Sequence, residues 1–135
     1  MDSLDSAVQR SRIVHLAILV TIPLYAFAGE MIGPPPGDVG FLYKILVAAA
    51  MADLGLFTFF RITMLRSAEE ILAVRPDDAA TLGRWLAANI VTFMLCETIA
   101  LFGLVIRFLG GDLVKAGPFY GVALLLLLLV FPRRP

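Results

Sequence analysis

The stretch from Trp85 to Leu109 runs for 25 residues with only two charges, Glu97 and Arg107. As a helix rising 1.5 Å per residue it is longer than the roughly 30 Å hydrocarbon core of a bilayer. Three more long apolar runs accompany it in a chain of 135 residues that is 60% hydrophobic, has a mean hydropathy of +0.91 and carries no net charge. The runs are continuous rather than alternating, which argues against a β-barrel. The expectation is therefore an all-α polytopic membrane protein, with four transmembrane helices in a compact bundle forming a single domain over residues 1–135.

A polar lead-in, residues 1–12, precedes a first span at about 13–32. Pro23 falls in the middle of that span, where it removes a helix hydrogen bond and should bend the chain. Arg10 and Arg12 before an apolar run, with Ala26-Phe27-Ala28 after it, also outline a signal peptide; the segment is read here as a span. Gly33-Pro34-Pro35-Pro36-Gly37-Asp38 makes a rigid turn into the second span, 41–64. A helical loop, 65–83, prolongs that span into water, with Arg66 and Glu70 one turn apart. Arg75-Pro76-Asp77-Asp78 stops it, and the two aspartates are placed to cap the next helix near Ala79. The third span, 84–109, ends at Gly110-Gly111-Asp112. The fourth, 117–132, takes Pro118 in its first turn and is short for a bilayer.

Eight of the 11 Lys and Arg residues (Arg10, Arg12, Arg61, Arg66, Arg75, Arg84, Arg133, Arg134) fall on one side of this topology, and Lys44, Arg107 and Lys115 on the other. The excess of positive charge marks the cytoplasmic face, so both termini and the 65–83 loop are expected to be cytoplasmic, in an inner or plasma membrane.

A carboxylate at bilayer depth costs about 2.5–3.5 kcal/mol on insertion scales, which makes Glu97 a functional candidate. Asp53 lies near the centre of the second span, at comparable depth. Two carboxyls brought together in low dielectric do not both ionise easily, so the pair is a candidate site for H⁺ or Na⁺. On a helical wheel Asn89, Cys96, Ala100 and Gly103 share the side of Glu97, and Thr92 lies near them. This polar or small face suits close helix packing, with Asn89 and Thr92 as hydrogen-bond donors. The structural alternative is a protonated Glu97 that serves as interhelical glue. For Asp53, the run of alanines around it favours helix packing. Glu30 reads as a solvated interfacial residue, Arg107 as a snorkelling one for which a pair with Glu30 is conceivable, His15 as a residue at the cytoplasmic headgroups, and Tyr25 as lipid-facing or interhelical packing.

One cysteine, Cys96, permits neither an intramolecular disulfide nor a cysteine metal cluster. One histidine, His15, rules out bis-histidine haem ligation and a His pair on zinc within one chain. There is no Ser-His-Asp set, no phosphate loop and no basic footprint for nucleic acid. The chain is expected to be no enzyme and to need no cofactor.

Glu97-Thr98-x-Ala100-x-x-Gly103-x-Val105-Ile106-x-Phe108-Leu109, with Gly55-Leu56-Phe57 and Ile71-Leu72-Ala73-x-Arg75-Pro76-Asp77 upstream, resembles the ion-binding hairpin of the proteolipid c or K subunits of V- and A-type rotary ATPases. The likeness covers about residues 46–109. It implies that Glu97 takes up H⁺ or Na⁺ and that the intervening loop is cytoplasmic. The chain departs from that pattern in several places. The second span carries alanines and Phe57, Phe59 and Phe60 instead of closely spaced glycines. The segment from Pro76 to Glu97 is about two helical turns longer, Arg107 replaces an apolar residue, and cytoplasmic termini are opposite to a four-span proteolipid.

Three functions follow as expectations. One is a small ion-binding protein, translocating H⁺ or Na⁺ as part of an oligomer packed through the small-residue face. The second is a non-catalytic accessory subunit that docks by that face onto a larger membrane complex, with Glu97 buried and neutral. The third is a dimeric exporter in which Glu97 exchanges protons for a cationic substrate.

Overall fold

The computed structural model describes residues 3–135. Among them the chain forms α1 (Leu4–Ile32), α2 (Gly40–Phe60), a π-helical turn (Arg61–Leu65), α3 (Arg66–Val74), α4 (Ala79–Phe108) and α5 (Leu113–Leu129), with no strand. α2, the π turn and α3 make one unbroken rod, Gly40–Val74. Three rods, Leu4–Ile32, Gly40–Val74 and Ala79–Phe108, are long and apolar enough to cross a membrane. α5 has 17 residues and spans about 25 Å.

Several boundaries differ from the sequence reading for identifiable reasons. The polar lead-in is the first part of α1 itself. Ser3 caps the helix by accepting the Ser6 N–H at 3.2 Å, and Leu4, Ala7, Val8 and Ser11 form a buried stripe at helical spacing. α1 also continues through Pro23, which leaves the Leu19 carbonyl without its usual helix donor. α5 begins before Pro118, at Leu113, because the Asp112 carboxylate accepts the Lys115 N–H at 3.0 Å and supplies the cap. Asp78 does occupy the cap position of α4, but its carboxylate accepts the Thr81 hydroxyl instead of a backbone N–H.

α4 ends in a Schellman motif. The Gly110 N–H donates to the Arg107 carbonyl and the Gly111 N–H to the Ile106 carbonyl. Gly110 has φ +103°, a conformation that favours glycine.

α4 is the hub. It packs against α1, α2 and α5, and α1 also packs on α5. Among the described residues no close backbone approach joins α1 to α2. Two clusters fill the interior. The larger joins Ile18 and Ile22 of α1, Ala50 and Phe57 of α2, Phe93 to Ile106 of α4, and Phe119 to Val130 at the C-terminal end. The smaller gathers Leu4, Ala7, Val8, Leu65, Ala68, Leu72, Leu82 and Ala88 with Trp85.

The π turn corrects the phase of the long rod. Ala50, Asp53 and Phe57 are buried, and the stripe resumes at Leu65, Ala68 and Leu72. In an undisturbed α-helix the stripe would continue through Arg61 and Met64. The π turn absorbs one extra residue, so both are exposed and the apolar stripe is restored beyond them.

The small-residue face of α4 is consumed within the chain. Asn89, Thr92, Cys96, Ala100 and Gly103 are all buried. A Cβ at Gly103 would lie 2.9 Å from Phe119 Cβ and 3.1 Å from the Ala116 carbonyl of α5. This overturns the expectation that the face serves oligomerisation or docking, because α5 already occupies it at Gly103. Gly103→Ala should cost about 1–3 kcal/mol through overpacking, read as a lower unfolding midpoint in mixed micelles. Gly55→Ala, whose Cβ meets nothing within 4 Å, should instead be neutral or stabilise by up to about 1 kcal/mol.

Candidate functional site

α1 and α4 run in the same direction, as first and third members of an up-and-down bundle must. Their contacts keep a nearly constant register, pairing His15 with Phe93, Thr21 and Tyr25 with Glu97, and Glu30 with Arg107. Glu97 is half-buried in the middle of this seam.

The Tyr25 hydroxyl donates to Glu97 Oε1 at 2.6 Å. Thr21 Oγ1 lies 3.2 Å from the same oxygen and 2.6 Å from the Ile18 carbonyl. A threonine hydroxyl has one proton, which serves one of these acceptors at a time. Oε2 has no hydrogen bond among the described residues, and no cationic side chain bonds to either oxygen. Two neutral hydroxyls stabilise a carboxylate less than a cation would.

Asp53 sits on another face of α4. It is 6% exposed, within the α4-facing stripe of α2, and lies within electrostatic reach of the Cys96 thiol. Its Oδ1 is buried without a hydrogen-bond partner. Among the described residues no hydrogen bond joins Asp53 to Glu97. Asp53 belongs to α2 and the hydrogen-bond partners of Glu97 belong to α1, and among the described residues these two helices make no close backbone approach.

The supporting residues also act differently from expectation. Asn89 Nδ2 donates to the Trp85 carbonyl at 3.0 Å, and Thr92 Oγ1 to the Ala88 carbonyl at 2.7 Å. Both hydrogen bonds stay within α4, and neither reaches Glu97. The donors come instead from Thr21 and Tyr25. Their signal in the sequence is a pair of hydroxyl side chains four residues apart, flanking Pro23 at the mid-depth of an otherwise apolar span.

Other polar residues are structural. Arg107, expected to snorkel, is only 7% exposed. Its Nε donates to Glu30 Oε1 at 3.1 Å and its Nη1 to the Pro34 carbonyl. Glycine makes the space, since a Cβ at Gly33 would stand 2.9 Å from Nη1. The clasp fastens the end of α1 and the following turn to α4. His15, expected at headgroup level, is fully buried, with edge contacts to Phe93 and Phe131. Its Nε2 donates to the Leu127 carbonyl at 2.6 Å, and its Nδ1 has no partner. Among the described residues no group of three His, Cys, Asp or Glu side chains is arranged to hold a metal ion.

Comparisons with protein-family models, curated proteins and solved structures returned no match. The functional reading accordingly rests on the residues and their geometry.

Proposed function

We propose that the chain is an integral membrane protein in which Glu97 binds and releases a proton, with Na⁺ as the competing ion, and that this exchange drives ion movement in an oligomer. Its four rods span the bilayer with both termini and the 65–83 segment on the cytoplasmic side of an inner or plasma membrane. The observation that carries the reading is the half-buried Glu97 carboxylate, held by the Tyr25 hydroxyl and touched by Thr21, with its second oxygen unbonded and no salt bridge to it among the described residues.

Protonation has a local relay in this arrangement. When Glu97 is ionised, Thr21 turns its proton toward Oε1. When Glu97 is protonated, that attraction weakens and the Thr21 proton returns to the nearer Ile18 carbonyl. One proton on Glu97 therefore changes a hydrogen bond across the α1–α4 seam. Asp53, on α2, has no part in this relay.

The same seam supports the oligomer. Because α1 and α2 stand apart, the side of α4 bearing Met94, Leu101 and Val105 is exposed, and Glu97 lies at its edge. A second copy laid there would bring Oε2 into an interface. The second reading is that this exposed side receives a larger complex and seals Glu97 in a neutral form, making the chain an accessory subunit.

Carbodiimide modification separates the two readings, because the reagent attacks protonated carboxyls in apolar surroundings. Detergent-purified protein, analysed by mass spectrometry across pH, should be modified at Glu97, less so as pH rises, and not at all in Glu97→Gln. Tyr25→Phe should keep the modification but change its pH profile. Absence of modification at every pH would eliminate exchange and favour the accessory subunit.

A further inference from the structure

Where the first turns of α1 are tied to the C-terminal tail, a cavity of about 260 Å³ opens between the π turn, α4 and that tail. Arg61, Arg133 and Asn89 supply polar lining, and Leu129 and Phe131 supply apolar lining.

The tail is fixed in place. Arg12 Nε donates to the Pro132 carbonyl at 3.0 Å, and Arg134 pairs with Asp5. Between these two anchors Arg133 is left at the cavity. Arg61 reaches it because the π turn rotates that residue out of the buried stripe. Neither Arg61 nor Arg133 has an ion pair among the described residues. Glu69 is the one acidic side chain in the lining, so the two uncommitted guanidiniums outnumber the acidic side chains there.

We propose that this cavity binds a phosphate group, held by Arg61 and Arg133 in the fork geometry that guanidinium offers to phosphate oxygens. The apolar side formed by Leu129 and Phe131 fits the glycerol and first acyl carbons of an anionic phospholipid. α5, which ends there, is the shortest rod, and basic pockets between helices on a cytoplasmic side are where anionic headgroups collect. A free phosphate shares the recognition chemistry but gains nothing from the apolar side. The site is separate from Glu97 and stands or falls independently of it.

The test is isothermal titration of the full-length chain in a neutral detergent with dihexanoyl phosphatidylglycerol, dihexanoyl phosphatidylcholine and inorganic phosphate. Phosphatidylglycerol should bind saturably, and at least tenfold tighter than phosphatidylcholine. R61Q/R133Q should weaken it at least tenfold. R66Q/R75Q, which removes equal charge outside the cavity, should change it by less than threefold. E69Q should tighten it, a gain that misfolding cannot produce. Inorganic phosphate binding as tightly, with the same arginine dependence, would uphold the phosphate site and assign it to a free anion. No saturable binding of either probe, equal losses in the two arginine double variants, or no tightening in E69Q would overturn the proposal.

Discussion

Glu97→Gln is expected to lower ion flux through reconstituted vesicles at least tenfold, to the level of protein-free vesicles, while the helices remain folded. Glutamine is nearly isosteric with glutamate, and its carbonyl oxygen still accepts from the Tyr25 hydroxyl. Its amide does not titrate in the physiological range, so the Thr21 proton is no longer switched between Glu97 and Ile18. The variant therefore removes exchange without opening a cavity. Helix content by circular dichroism and the unfolding midpoint should match the parent, which separates lost exchange from lost structure. Asp53→Asn supplies the contrast. Asp53 is buried on α2, apart from the two α1 hydroxyls that bond Glu97, and its Oδ1 has no hydrogen-bond partner, so the neutral amide should leave flux within about threefold of the parent.

Trp85→Ala should cause a large loss of stability, about 3–5 kcal/mol by the usual cost of emptying a buried indole site. Trp85 is fully buried at the centre of the smaller cluster, where the start of α1 meets the π turn, α3 and the start of α4. Truncation leaves Leu4, Val8, Leu72 and Leu82 around a void, and the first turns of α1 lose their attachment. Trp85→Phe should cost less than about 1.5 kcal/mol. It shrinks the side chain but also removes Nε1–H, which is buried without an acceptor and carries a desolvation penalty in the parent. Unfolding in mixed micelles, followed for both variants together, should show a steep difference between them. Equal losses would mean that the indole N–H has a partner in the folded protein.

The helical rods were legible in the sequence because unbroken apolar runs and Gly-Pro turns are local signals. The positions of Asp78 before α4 and of the glycines after it followed from the same kind of information. Features that depend on how rods meet were not legible. The small face of α4 is legible as a packing face, but whether α5 or another chain covers it at Gly103 depends on tertiary arrangement. Arg107 looked like a snorkelling residue because nothing local says that Gly29 and Gly33 leave room for its side chain beside α1. Whether Asp53 joins Glu97 also depends on how the rods meet, and the hydrogen bonds that Glu97 receives among the described residues come from α1. Tyr25 reads locally as lipid-facing or interhelical packing, although its four-residue spacing from Thr21 is present in the chain. The π turn has no strong residue signature, and only the eight-residue step from Phe57 to Leu65 in the buried stripe betrays it.

The most direct measurement is infrared difference spectroscopy of the protein in lipid during a pH titration, with Glu97→Gln subtracted. The subtraction cancels Asp53 and isolates the protonated carboxyl stretch of Glu97. A band that disappears on raising the pH, returns on lowering it and shifts in Tyr25→Phe is the expected result, because Glu97 then exchanges its proton while bonded to Tyr25. A band that stays constant at every pH would contradict the account, since it would mean a permanently neutral Glu97 that only holds α1 to α4.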